Sequence, residues 1–222
     1  LTLSFVFLLG LFQAIVGWWM VKSGQINDPF VSAYRLTFHL TNALIIFSIL
    51  FWSCLSSIYL KKSYIIINDN NTKIFIFIIF LLYITIISGG FMAGTNAGQS
   101  FNTFPLMNNK IFPNDYFLEN NILLNFFENT VAINFNHRWL ASLTFLFVVC
   151  FIAYLQLFND NKSHTLSLYL VIFFISSQFL LGVLTLLNNV PISLASMHQT
   201  NSVLLLGSIF FAYHKYKYRK EL

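Results

Sequence analysis

Apolar residues run along this chain in long blocks separated by short polar segments, with no alternation and no single helical stripe. A helix needs about 20 apolar residues to cross a bilayer. Six blocks reach that length, at roughly 2–20, 34–60, 73–93, 137–157, 167–187 and 193–213. One long interruption, 94–136, breaks the rhythm. It holds Asn102-Thr-Phe-Pro105, Pro113 and Asn114-Asp115, which are turn signals, and three of the seven acids, Asp115, Glu119 and Glu128. Irregular backbone of this kind cannot lie in lipid. It is expected outside the bilayer, folded over the helix ends.

The basic residues orient the blocks. Lys61, Lys62, Lys73, Lys162, Lys215, Lys217, Arg219 and Lys220 fall on one side, and Lys22, Arg35, Lys110 and Arg138 on the other. Eight against four puts the first group in the cytoplasm or matrix. The second, fourth and sixth helices then start outside and run inward. The chain opens at Leu1, apolar at once and without a basic leader. It reads as a protein that begins before this chain does, or as a shortened one.

Composition agrees with the pattern. Of 222 residues, 57% are hydrophobic and 9% charged, and mean hydropathy is +0.72. Soluble domains carry about 25% charged residues. The class is all-α integral membrane. A pI near 9.2 does not point to nucleic acid, because the basic residues sit in short loops as topology signals. Cys54 and Cys150 each lie inside an apolar block; they read as small buried residues, with no disulfide framework.

Against this background the histidines stand out, since an imidazole in a span is costly without a partner. His39, His137 and His198 fall near the outer starts of the three inward helices, level within about 10 Å at 1.5 Å per residue. His164 and His214, beside lysines, read as solvated residues of the inner loop and tail. The first hairpin reads Gln13-x3-Gly17 and then His39-Leu-Thr-Asn42. The last reads Gln178-x3-Gly182 and then His198-Gln-Thr-Asn201. The recurrence in one order and topology indicates a parallel internal repeat. On that reading 73–213 is a complete four-helix repeat and 1–60 is the second half of another. Residues 61–72 form the inner linker and 214–222 a basic inner tail. Gln13, Gln178, Asn42 and Asn201 read as helix-packing glue.

Two imidazoles facing each other across a four-helix bundle are the axial set of a six-coordinate heme. Zinc asks for three or four ligands and a hard cation for oxygens. His137 and His198 are therefore the expected iron ligands. Arg138 could pair with a heme propionate; so could Arg35, four residues before His39 on the same helix face. Gly89, Gly90, Gly94 and Gly182 would admit close helix or macrocycle approach.

The run Gly90-Phe-Met-Ala-Gly-Thr-Asn-Ala-Gly98, with Asn102-Thr-Phe-Pro-Leu-Met107, resembles the loop signature of the heme A synthase family. Asn125-Phe-Phe-Glu-Asn129, Asn136-His-Arg138, Pro191 through His198-Gln199, Gly17-Trp-Trp-Met-Val-Lys-Ser-Gly24, and Tyr34-Arg35 with His39 extend it over most of the chain, in the alphaproteobacterial and mitochondrial style. The resemblance implies eight helices in two pseudo-symmetric halves. It implies heme b between His137 and His198, and the substrate heme O between His39, as the catalytic histidine, and a second histidine in a Glu-x-x-His-Arg motif. The implied reaction oxidises a porphyrin methyl to a formyl group by successive hydroxylations with water, giving heme A for cytochrome oxidase. Implied surroundings are a bacterial or mitochondrial inner membrane, with heme O synthase, a membrane electron acceptor or a second copy of the chain as partners.

Two positions depart from the family pattern. No Glu-x-x-His-Arg occurs; Asn134-x-x-His137-Arg138 has Asn where the acid would be. Asn96 stands where the family usually has Asp. Two other readings remain: a bis-histidine b-type cytochrome that only transfers electrons, and a transporter or assembly protein with structural histidines. An electron carrier has no need of a second pocket at His39.

Overall fold

The computed structural model describes residues 2–24, 30–59, 64–158 and 165–220. Lys61, Lys62, Lys162 and His164 lie outside the described residues. Among the described residues there are six long helices, α1 (Thr2–Val21), α2 (Ala33–Tyr59), α3 (Asn70–Gly94), α5 (Thr130–Phe158), α6 (Thr165–Leu187) and α7 (Ile192–Lys217), with a short α4 (Ile122–Phe127) in the long loop. The first five of the long helices are apolar and long enough to cross a membrane. The sixth, α7, is as long but more polar. It packs against α6, α2 and α3, so much of its surface meets protein rather than lipid, and a lower hydropathy suffices.

Each of α3, α5, α6 and α7 touches its two neighbours in the order α3–α5–α6–α7–α3, making a four-helix ring. The α1–α2 hairpin leans on this ring through α2. The ring's core fills the inner half of the helices. Phe75, Ile78 and Leu82 of α3 meet Val148, Phe151, Ile152 and Leu155 of α5, Leu168, Val171 and Ile175 of α6, and Leu205, Leu206 and Ile209 of α7. This apolar core stops one to three turns short of Ser88, His137, Gln178 and His198. The outer half is polar and glycine-lined instead.

At the inner end, the stretches taken for a linker and a tail pair as strands: β1 (Tyr64–Ile66) runs antiparallel to β2 (Tyr218–Lys220). Asp69 caps α3 by accepting from Thr72 N at 2.9 Å. It also accepts from the Tyr216 hydroxyl at 2.6 Å, and Asn71 donates to that same hydroxyl at 2.9 Å. Burial pushes the Asp69 carboxyl up, but these hydrogen bonds outweigh it and hold it below the ordinary value of 3.8. Its contribution to stability is present above that value and is lost as pH falls through the lower folded one. Tyr216→Phe should cost about 1 kcal/mol. Thermal unfolding in detergent should show the difference from pH 5 to 8 and show it shrinking below about pH 4.

His214 corrects its sequence reading. It is 1% exposed, packed edge-on against Trp52 at 5.0 Å, with Nε2 3.3 Å from the Ser56 hydroxyl. The helix runs past it, so it belongs to α7 and not to a solvated tail. Cys54 and Cys150 are free and exposed rather than buried, because their helix faces point away from the core.

The long loop folds over the outer helix ends, as its turn residues require. Asn134 donates to the Ala97 carbonyl at 2.8 Å, Asn102 to the Leu186 carbonyl at 2.9 Å, and Tyr116 to Asn136 Oδ1 at 2.9 Å. Asn129 donates to the carbonyls of Asp115 and Tyr116. Asn96 has φ 54°, a left-handed conformation that Asn tolerates.

Candidate functional site

Helix α5 starts at Thr130, seven residues earlier than the apolar pattern indicates. The polar run Asn134–Asn136 is helical because the loop supplies its partners. His137 therefore lies about two turns inside its helix, as His39 does in α2 and His198 in α7. The three are level.

Each imidazole rests on a glycine of the preceding long helix. A Cβ built on Gly17 would meet His39 Cε1 at 2.9 Å, one on Gly89 would meet His137 Cε1 at 3.1 Å, and one on Gly182 would meet His198 Cε1 at 2.9 Å. Any larger residue would push the ring aside. Gly90 and Gly94 do something else. They bring α3 against Thr37 and Ala33 of α2.

His137 and His198 sit on the diagonal helices α5 and α7 of the ring. His39 is apart, in the α1–α2 hairpin. Its ring Nε2 is 3.2 Å from Gln13 Nε2, and Asn42 Nδ2 donates to Gln13 Oε1. The same arrangement recurs in α6–α7: His198 Nε2 is 3.3 Å from Gln178 Nε2, and Asn201 donates to Gln178 Oε1 at 2.8 Å. These glutamines and asparagines do hold helices together, but they also reach the histidines, which their sequence reading missed. The spacing Gln-x3-Gly was the available signal, since it puts the glutamine one turn from the glycine under the ring. Ser88 was missed too; its hydroxyl is 2.7 Å from His137 Nδ1.

Arg138 reaches back to the loop, donating to the carbonyls of Thr103 and Pro105. Arg35 donates to the Trp19 carbonyl at 2.8 Å and lies over the Trp19 ring at 4.5 Å. Buried nitrogens without a partner collect at this level: His39 Nδ1, His198 Nδ1, Arg138 Nη1 and Asn136 Nδ2. Unpaired buried donors are uncommon and call for a reason. Among the described residues no group of three or more His, Cys, Asp or Glu could hold a metal ion. The donor set is two imidazoles with a cation at the outer rim. Two imidazoles and a guanidinium are the donor types a heme would take, and they are too few ligands for a zinc site.

The chain is similar to known proteins over nearly all of its length. Heme A synthase of Wolbachia pipientis subsp. Culex pipiens is 41% identical over 206 residues, covering 93% of this chain and 60% of that protein. Heme A synthase of Neorickettsia sennetsu is 40% identical over 208 residues, covering 93% and 61%. Heme A synthase COX15 of Arabidopsis thaliana is 35% identical over 223 residues, covering 96% and 49%. The chain thus spans half to three fifths of the length of these relatives. With five helices fit to cross a bilayer, it is a multi-pass protein of the inner membrane. The cytochrome oxidase assembly protein profile matches residues 1–210, and the chain belongs to that family, COX15-CtaA.

Proposed function

We propose that the chain acts as a heme A synthase, with a resident heme b held between His137 and His198 and heme O as substrate at His39. One observation carries the reading: two histidines seated on Gly89 and Gly182, on diagonal helices of a ring whose apolar core stops below them. The relatives named heme A synthase support the substrate. A bis-histidine heme supplies one-electron redox chemistry when bound. Arg138, with Nη1 buried and unpaired, would meet a propionate there. The loop residues Asn102, Thr103 and Pro105, fastened to α5 and α6, would keep water from the site's outer side. The reaction takes a methyl group and one water to a formyl group, four protons and four electrons, and the electrons pass to an acceptor in the membrane. Arg35 would play the part of Arg138 in the His39 half.

Expressing the full gene product in membranes supplied with heme O, then extracting the hemes, tests the proposal. Heme A should appear, and His39→Ala should abolish it while the resident heme persists. Intact resident heme with no heme A from the unaltered protein would favour the electron-transfer reading and reject this one.

A further inference from the structure

The orientation of each glutamine traces back to a backbone carbonyl, which only accepts hydrogen bonds. Asn201 Nδ2 donates to the Phe174 carbonyl at 3.0 Å as well as to Gln178 Oε1. That carbonyl fixes which end of the Asn201 amide faces α6, and Asn201 in turn fixes Gln178 with its nitrogen toward His198. In the other hairpin Gln13 Nε2 donates to the His39 carbonyl at 3.1 Å, which fixes Gln13 in the same sense. An amide nitrogen can only donate. The Nε2 atoms of His39 and His198 must therefore accept, so their protons are on Nδ1. His137 reaches the same tautomer differently. The Ser88 hydroxyl donates to the Thr85 carbonyl at 2.7 Å, leaving a lone pair to accept from His137 Nδ1. Among the described residues no amide meets His137 Nε2.

We propose that Gln178, and by the repeated geometry Gln13, are positioning residues that stand in for iron. The carboxamide N–H engages the ligand nitrogen of the histidine, at 3.2 Å for Gln13 and 3.3 Å for Gln178. It holds the imidazole in the tautomer and orientation that a metal requires, and it yields when iron arrives. This inference rests on the heme reading above. It makes the two ligands of one heme unlike: His137 is preset and open, whereas His198 is preset but covered. At His39, where substrate enters and product leaves, the same device gives the ring a partner between turnovers. With Nδ1 of His39 and of His198 already unpartnered, leaving Nε2 bare as well would add to the cost, and Asn42 and Asn201 keep the substitute donor in reach.

The test is heme uptake by the full-length protein, purified without heme and mixed with hemin, followed by the rate at which the low-spin bis-histidine spectrum forms. Gln178→Met keeps the volume and removes the competing donor; uptake should be about five-fold faster, the effect of one net hydrogen bond. Gln178→Glu replaces the donor by an acceptor and favours the wrong tautomer, so uptake should be slower than in the unaltered protein. Once loaded, the Met variant and the unaltered protein should give the same electron paramagnetic resonance spectrum, because the side chain has moved off the iron site. A Met variant that loads no faster than the unaltered protein, or whose loaded spectrum differs, overturns the inference alone and leaves Gln178 a packing residue. An unaltered protein that takes up no heme, or whose spectrum survives His137→Ala and His198→Ala, overturns the heme reading and this inference with it.

Discussion

His137→Ala should remove the low-spin heme spectrum and weaken retention of the resident heme by more than about 100-fold, beyond the loss typical of an outer-shell change at a metal site. The reason lies in how His137 is held. Its Nδ1 is fixed by Ser88, whose own proton goes to Thr85, and its ring rests on Gly89. Nε2 is thereby left as the single nitrogen with a lone pair to offer. Ser88→Ala should keep the ligand but release its orientation, costing roughly ten-fold in heme retention with the low-spin spectrum preserved. His164→Ala, in the inner loop by sequence, should change nothing. The optical and paramagnetic spectra of the purified protein decide it. A low-spin spectrum that persists in His137→Ala would put the iron elsewhere.

Much of the fold is legible in the sequence, for reasons that differ by element. Spans show themselves as long apolar blocks, so α1, α2, α3, α5, α6 and α7 were all visible. The outer turns of α5 were not, because Asn134 and Asn136 each take one hydrogen bond with loop atoms 20 to 37 positions away, and periodicity carries no record of such partners. The strand pair β1–β2 and the contact between Asp69 and Tyr216, 147 residues apart, escaped for the same reason. His214 was misread because lysines beside it suggested solvent; the aromatic face of Trp52 that buries it comes from another helix. The histidine level and the repeated Gln, Gly, His and Asn were legible because the repeat preserves spacing. What spacing could not reveal is direction: which amide atom faces the ring, and that Ser88 serves His137 where Gln178 serves His198.

The joint between the two parts of the chain depends on Gly90 and Gly94, one turn apart on α3. A Cβ on Gly94 would lie 2.6 Å from Ala33 Cα and 2.7 Å from Ala33 Cβ, and one on Gly90 would lie 2.8 Å from the Thr37 hydroxyl oxygen. The obstacle at Gly94 is backbone, which cannot rotate away, so any side chain must move α2 as a body. Small residues at this spacing are how membrane helices approach closely. Gly94→Leu should therefore destabilise the protein by about 1–3 kcal/mol or more, the cost of overpacking a filled contact. Gly10 is the control. Nothing lies within 4 Å of a Cβ there, and Gly10→Ala should be neutral or stabilising by up to about 1 kcal/mol through helix propensity. The consequence for function is selective. The ring of α3, α5, α6 and α7 does not use this contact, so the His137–His198 spectrum should survive. The α1–α2 hairpin would tilt even though Tyr83 still meets Ser48 and the Leu44 carbonyl, and His39 would shift with it. Thermal unfolding in detergent, together with the heme spectrum and heme A yield of the same variant, measures all three. Unaltered stability in Gly94→Leu would mean that α2 and α3 do not meet at this point. Loss of the heme spectrum along with heme A would mean that the two parts are not separable in this way.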